Sequence, residues 1–547
     1  MNTRKTVRCG VPRSGSLLFI FVSVVLIFAA SSTIRAQDCP TTCDNQNNSA
    51  LGIFALISIT SGTSNTATGV GALGLTNTGS NNTANGDEAL AYNTSGSDNT
   101  ASGLDSLFYN TNGNNNTADG FGALFANTTG NYNTGVGYLA LNGDPVSNNA
   151  TGSYNTAIGS TALYAYTSGS NNTAAGYGTL FSDTTGGNNT ATGYSALLAN
   201  TTGNNNTANG YQALYSNNSG GSNTASGYDA LYFNTTGNFN TAYGRGALYQ
   251  NSTASNNTAI GYRAINSNKT GTENTATGVG ALQQNTANYN TAMGYQALNK
   301  TNSGHDNTAI GINALQNNLN GYSNVALGQY ALQSNSSGFN NIAVGGLAGF
   351  NITTGSNNID IGNQGLGFES NVIRIGTPGT HTATLIAGIY NVAVSGLNVV
   401  IGSSGQLGTT PSSQRFKENI EPMDKASEAI FSLQPVTFHY KHELDPKATP
   451  QFGLIAEQVE KIDRDLVARD DQGKPYSVRY EAVNAMLLNE FLKAHKQLEE
   501  QRAINGMLES KIARQEKEIQ ALAAGLQKVS NQLELSKPAT RVVVNDD

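Results

Sequence analysis

Along most of this chain the apolar positions are few and strictly placed. The run Asn-Thr-Ala-x-Gly-x-x-Ala-Leu, followed by a polar stretch of Asn, Thr and Gly, starts at Asn65 and recurs through Asn358. Its leading Asn occurs eighteen times, and fifteen of the seventeen intervals are 17 residues. One interval is 22, stretched around Gly143-Asp144-Pro145, and one is 16. A fixed period of this length marks a solenoid or a stacked array. Seventeen residues suit one coil of two short strands and two turns, and are too few for a helix pair with loops. Gly and Asn fill the turns because both tolerate positive φ. At about 4.8 Å per stacked coil, the repeats over 65–362 predict a shaft of roughly 85 Å. Asn/Ser/Gly tracts that stay unfolded drift in length. Here the register holds, and ladders of identical residues are what stacked strands reward. Ala and Leu are the only regular apolar residues. A coil is therefore expected to lean on its neighbours, and on other chains, to bury a core.

The pattern changes at 363. Asn371-Val-Ile-Arg-Ile-Gly376 and Leu397-Asn-Val-Val-Ile-Gly402 alternate like strands between glycine turns, so 363–411 reads as a β-rich neck. A small α+β domain is expected over 412–500. From 484 the chain turns helical, and Phe491, Leu498, Asn505, Leu508, Ile512, Gln515, Ile519, Leu522, Leu526, Val529 and Leu533 fit a pattern of three- and four-residue steps. That is a heptad seam, predicting a parallel coiled coil over 484–535 and a tail over 536–547. Asn505 and Gln515 fall within the seam, where buried polar residues set register.

Charge sharpens the boundary at 412. Residues 51–411 carry 5 Lys/Arg and 12 Asp/Glu, whereas 412–547 carry 19 and 22. The chain as a whole has 62 Gly, no Trp and only 12% charged residues, unlike an average globular enzyme. Its net charge of −7 argues against a nucleic-acid partner, which would need a basic patch. At the N-terminus, Arg4, Lys5, Arg8 and Arg13 precede an apolar run from Leu17 to Ala30, and Ile34-Arg35-Ala36 ends on a small residue. This predicts a signal peptide over 1–36, because the run is shorter than the roughly 20 residues of a membrane span. No later stretch is apolar enough to span. Segment 37–64 carries Cys39 and Cys43, which in an oxidising compartment can pair locally or link chains. His305, His381, His439, His442 and His495 are scattered, so no metal site or cofactor is expected. The Gly-Gly-x-Gly-x-Asp calcium nonapeptide is absent.

Asn155-Thr-Ala-Ile-Gly159, Asn257-Thr-Ala-Ile-Gly261 and Asn341-Ile-Ala-Val-Gly345 resemble the Asn-Ser-Val-Ala-Ile-Gly repeats of trimeric autotransporter adhesin heads. The resemblance covers about 65–362. It implies a left-handed parallel β-roll packed as a trimer, although the period here is longer than that family's usual one.

The stretch Ser412-Ser-Gln-Arg-Phe-Lys-Glu-Asn-Ile420 resembles the opening of the endosialidase-type intramolecular chaperones, a family of self-cleaving peptidases. Leu433-Gln-Pro-Val-Thr-Phe438, Phe452-Gly-Leu-Ile-Ala-Glu-Gln-Val459 and Tyr476-Ser-Val-Arg-Tyr-Glu-Ala-Val483 follow in the family's order. The resemblance implies that this domain holds three chains in register and then cuts itself off before its first Ser. Carried over by position, Ser412 is the nucleophile, Lys417 the base and Pro411–Ser412 the scissile bond. Two positions depart from the pattern: Ser413 stands where the family usually has Asp, and Pro411 precedes the cut.

A serine hydroxyl needs a base to take its proton, and a lysine serves only when neutral. Arg415, a nearby positive charge, supports that state. Five residues along an α-helix is 140° off-face, so the pair is expected to meet in a bend or through packing.

These readings converge on a mostly β protein: a repetitive parallel β-roll or solenoid shaft, a small α+β chaperone domain and a coiled-coil helix, assembled as a homotrimer. The expected function is a secreted or surface-displayed fibre that contacts a surface glycan or another cell. The alternative is a purely structural spacer or coat fibre with an uncleaved chaperone domain. An enzyme acting on external substrates is disfavoured, because the repeats cluster no carboxylates or His.

Overall fold

The computed structural model describes residues 46–144, 146–386, 396–402, 405–470 and 472–536. The leader, Cys39, Cys43 and the tail from 537 lie outside them. The chain divides at Leu385/Ile386 into two units.

The first unit is a parallel β-solenoid of twenty three-residue strands, from Ser49–Leu51 to Ile373–Ile375. Each strand pairs with the next in strict register, so Thr83 faces Thr100 and Ala84 faces Ala101. The ladder thus begins one coil before Asn65 and continues one strand beyond Ile359–Ile361. The 22-residue interval does not disturb it. Thr134 pairs with Thr156, and the extra residues leave the sheet between them.

Each coil holds one strand, not the two expected. The rest is turn, in which the core Leu sits at positive φ, for example 55° at Leu90 and 52° at Leu107. A left-handed residue with a side chain costs about 1–2 kcal/mol, and burying a Leu returns about 1.5–3 kcal/mol. Burial wins, and Leu90 and Leu107 are fully enclosed. Glycine follows every strand of the shaft. Gly69 has φ 132°, and a Cβ there would lie 2.2 Å from the Gly86 carbonyl oxygen in the next coil.

Two polar ladders complete the interior. The leading Asn of every coil is buried, and Asn82 Oδ1 accepts from both the backbone and the side-chain amide of Asn99 at 3.1 Å. Asn99 Nδ2 also donates to the Gly113 carbonyl at 2.8 Å. A second row repeats side chain to side chain, as in Asn110 Nδ2 to Asn93 Oδ1 at 2.8 Å. Paired buried amides do not carry the desolvation penalty of unpaired ones, and in the second row Asn335 Oδ1 is left without a partner. Tyr166 replaces Asn in this row and, fully buried, donates to Asn127 Oδ1 at 3.0 Å.

This corrects one expectation. Ala, Leu and Asn are enclosed within a single chain, so the coils do not need a second chain to complete their core. The ladders of amides supply the cohesion that the sparse apolar atoms alone would not.

The second unit contains a small domain and a long helix. Val436–Phe438 pairs antiparallel with Gln451–Gly453, and Val467–Arg469 with Pro475–Val478. Helix α1 is Ala456–Ile462, and helix α2 is Tyr480–Leu535, 56 residues long. The core is small: Val459, Leu466, Val467, Val478 and Met486. Beyond Met486 no residue of α2 is buried, and its seam stays open, with Leu508 49% and Leu526 71% exposed. Among the described residues no helix is long and apolar enough to cross a membrane.

Candidate functional site

The site expected at the domain entrance is a turn. Gln414–Phe416 forms a single 3-10 turn, closed by the Lys417 N–H on the Gln414 carbonyl at 3.0 Å. Ser413 and Lys417 on either side are extended, with ψ near 140°. One tight turn between two extended residues reverses the chain, which a continuous α-helix would not do. Lys417 Nζ therefore lies 3.5 Å from Ser412 Oγ, at the outer limit of a hydrogen bond. The bend required by the five-residue spacing is this one.

All of the turn is solvent-exposed in the single chain, including Pro411, Ser412, Arg415 and Lys417. The Arg415 guanidinium lies over the Phe416 ring, 4.7 Å from its centroid. The geometry thus brings the Ser412 hydroxyl and the Lys417 amine together but leaves both in water.

A second polar cluster escaped the sequence reading. Ser427, fully buried in the Asp424–Ser432 turn, donates to Glu490 Oε1 at 2.5 Å and accepts from Asn489 Nδ2 at 2.7 Å. Lys493 Nζ reaches both Ser427 Oγ at 3.2 Å and Glu490 Oε1 at 2.5 Å. Hydrogen bonds from Lys493 and Ser427 hold the Glu490 carboxyl below its ordinary range. The partners are 62 to 66 residues apart in sequence, so no local motif signalled them. Every group is satisfied within the cluster, which fastens the start of α2 to the domain. Tyr480 adds to this by accepting the Leu454 N–H on its hydroxyl at 2.9 Å.

Two carboxylates inside the shaft were also missed. Asp183 is fully buried in the second Asn row, where burial pushes it up to about 8. Asp360 occupies an inward strand position where Ala343 sits one coil earlier. It is buried with neither oxygen hydrogen-bonded, and burial, then Glu369, push it up to about 6.

Fold and turn together define a β-solenoid shaft joined to a small α+β domain that opens on a serine–lysine pair. A family model described as the chaperone of endosialidase matches residues 412–468. The match starts at Ser412 and takes in the turn, the first hairpin, α1 and most of the Val467–Arg469 strand. No curated protein matches the chain.

Proposed function

We propose that this chain is an exported trimeric fibre whose C-terminal domain aligns three copies during folding and then cuts itself free between Pro411 and Ser412. The observation that carries the reading is the 3.5 Å approach of Lys417 Nζ to Ser412 Oγ at the first residue of the chaperone match. The unpartnered seam of α2 supports assembly, as do Phe431 and Phe452 on the domain, 72% and 82% exposed. Such surface is costly for a lone chain in water.

The proposed chemistry follows from which side of the bond the serine occupies. Neutral Lys417 takes the Ser412 hydroxyl proton, and Oγ attacks the Pro411 carbonyl carbon. Collapse breaks the C–N bond and passes the proton to the Ser412 nitrogen, leaving an ester with a free α-amine. Water hydrolyses the ester, releasing a Pro411 carboxylate and restoring the Ser412 hydroxyl. Assembly supplies what the single chain lacks: packing of three domains desolvates the exposed turn and favours the neutral amine. Cleavage then follows correct alignment.

The released shaft would contact a surface, a glycan or another cell. The second reading is an uncut spacer fibre, favoured by Ser413 at a position where the resembled family usually has Asp.

The chain lacking residues 1–36 and its Ser412→Ala variant separate the two. Mass spectrometry of the wild type is expected to show a fragment beginning at Ser412, absent from the variant. Intact wild-type chains under conditions where light scattering gives a trimer would overturn the autoproteolysis. A monomer would remove the assembly as well.

A further inference from the structure

The outward face of the shaft strands changes chemistry at one point. Strands begin with Thr from Thr66 through Thr308, fifteen in succession. The next four begin with Val325, Ile342, Ile359 and Ile373. Thr and Val have nearly the same shape, so the change leaves the strand geometry alone and alters only contact with water. The outward third position becomes uniformly apolar over the same strands. Upstream it is mixed, with Asn85, Ser102, Asp119, Thr192 and Asn209 but also Val136, Ile158, Tyr243, Ile260, Met293 and Ile310, whereas the last four strands place only apolar residues there, Leu327, Val344, Ile361 and Ile375. Both outward rows are therefore apolar together only from 325 onward. Leu327 is 45% exposed, Ile342 40%, and Ile373 and Ile375 above 60%.

Four strands about 4.8 Å apart make a flat patch roughly 15 Å long. A contiguous apolar surface of this kind marks an interaction site. It carries no charge on its outward rows, so a second copy would meet no like charge there. It is continuous in sequence with segments that are equally exposed: Leu385 is 95% exposed, Ile401 73% and Leu407 64%, and the α2 seam follows. Chains aligned by their C-terminal domains would bring the same coils level, placing identical β-branched rows opposite one another.

We propose that three copies of this chain pack through the outward face of the strands from Val325–Leu327 to Ile373–Ile375, and that contact between shafts stops there. Upstream of 325 each solenoid stands separately, its face finished with Thr hydroxyls and its core already closed. This rests on the trimeric reading above and adds its extent: a joined base and separate distal arms.

Disulfide trapping tests it in the chain lacking residues 1–36 with Cys39→Ser and Cys43→Ser. Leu327→Cys, Ile361→Cys and Thr192→Cys are oxidised with copper phenanthroline and run on a non-reducing gel, with light scattering on the unoxidised proteins. The first two are expected to give covalent dimers, two of three chains linking, and Thr192→Cys none. A trimeric mass without cross-links at 327 and 361 overturns the proposed face and leaves the trimer standing. Equal cross-linking at 192 overturns the boundary. A monomeric mass overturns the trimer itself. The fourfold variant Val325→Thr, Ile342→Thr, Ile359→Thr, Ile373→Thr copies the upstream pattern and so retains the fold. It is expected to lower the trimer's dissociation temperature, and an unchanged temperature counts against the face.

Discussion

Asn200 donates its side-chain amide to Asp183 Oδ1 at 2.7 Å, where the rows on either side repeat that bond between two asparagines. Substituting a carboxyl for an amide in a closed interior sets a pH dependence. Burial raises Asp183 from the ordinary value of 3.8 to about 8, so it is neutral in the fold at pH 7 while the unfolded chain is ionised. The native state then holds one more proton than the unfolded state between about 4 and about 8, and stability falls as pH rises through that window. The slope is of order 1 kcal/mol per pH unit. Thermal melts at pH 5 and pH 8.5 are expected to show this fall for the wild type and a much smaller one for Asp183→Asn. Equal slopes would show that Asp183 does not titrate in the fold.

Two glycines with opposite surroundings give a sharper test of the packing. Gly210 has φ 138°, and a Cβ there would lie 2.6 Å from the Gly227 carbonyl oxygen. Gly346 has ordinary φ and nothing within 4 Å of the same position. Gly210→Ala is expected to destabilise its coils by more than about 1 kcal/mol, since the strained φ and the backbone clash act together. Gly346→Ala is expected to change stability by less than about 0.5 kcal/mol. Hydrogen exchange of the neighbouring amides distinguishes them: protection near 207–227 drops in the first variant, and protection near 342–348 holds in the second.

The architecture was legible where the sequence repeats itself, because a period fixes which residues stack. Asn82, Asn99 and Asn116, spaced one period apart, already imply a ladder. What the period could not show is how a coil closes. The left-handed Leu90 and Leu107 turns replace the expected second strand, and they are favourable only because both side chains are buried. The same gap led to the expectation that chains must complete one another, since counting Ala and Leu leaves out the cohesion of the amide rows. At the domain entrance, the spacing of Ser412 and Lys417 required a bend, and the turn at Gln414–Phe416 is one. The Ser427, Glu490 and Lys493 cluster left no trace in the sequence, because its members meet only when α2 packs on the domain.

Asp360 and Arg374 are register partners at the C-terminal end of the ladder, yet Arg374 spends its guanidinium on Glu369, with Nε and Nη2 at 2.9 and 2.6 Å. The Asp360 carboxyl is left buried without a hydrogen bond, facing Glu369 and Arg374. Its value of about 6 exceeds the unfolded one, so its effect is mildest below about 4 and grows as pH rises through 6. Asp360→Ala restores the inner residue found at Ala326 and Ala343. It is expected to stabilise the end of the shaft at both pH values, by about 1–3 kcal/mol at pH 4, where the neutral carboxyl is still an unsatisfied buried group, and by more at pH 7, where the raised value adds to that cost. Differential scanning calorimetry at the two pH values reads the difference. A loss at pH 7 would mean that the carboxylate has a partner in the assembled fibre.

Lys417 offers the most direct test of the proposed cleavage, because its two natural substitutes fail for different reasons. Lys417→Met removes the amine and keeps most of the side chain's length. Lys417→Arg keeps the positive charge but cannot accept a proton, since a guanidinium stays charged at any working pH. Both are expected to slow release of the fragment beginning at Ser412 by at least about 100-fold, the usual contribution of a positioned general base. Trimer mass by light scattering is expected to be unchanged in both, since the proposed assembly rests on the α2 seam, Phe431 and Phe452 rather than on the Lys417 amine. If Lys417→Arg cleaves at the wild-type rate, the amine serves only as a positive charge near the oxyanion, and another group must take the Ser412 proton.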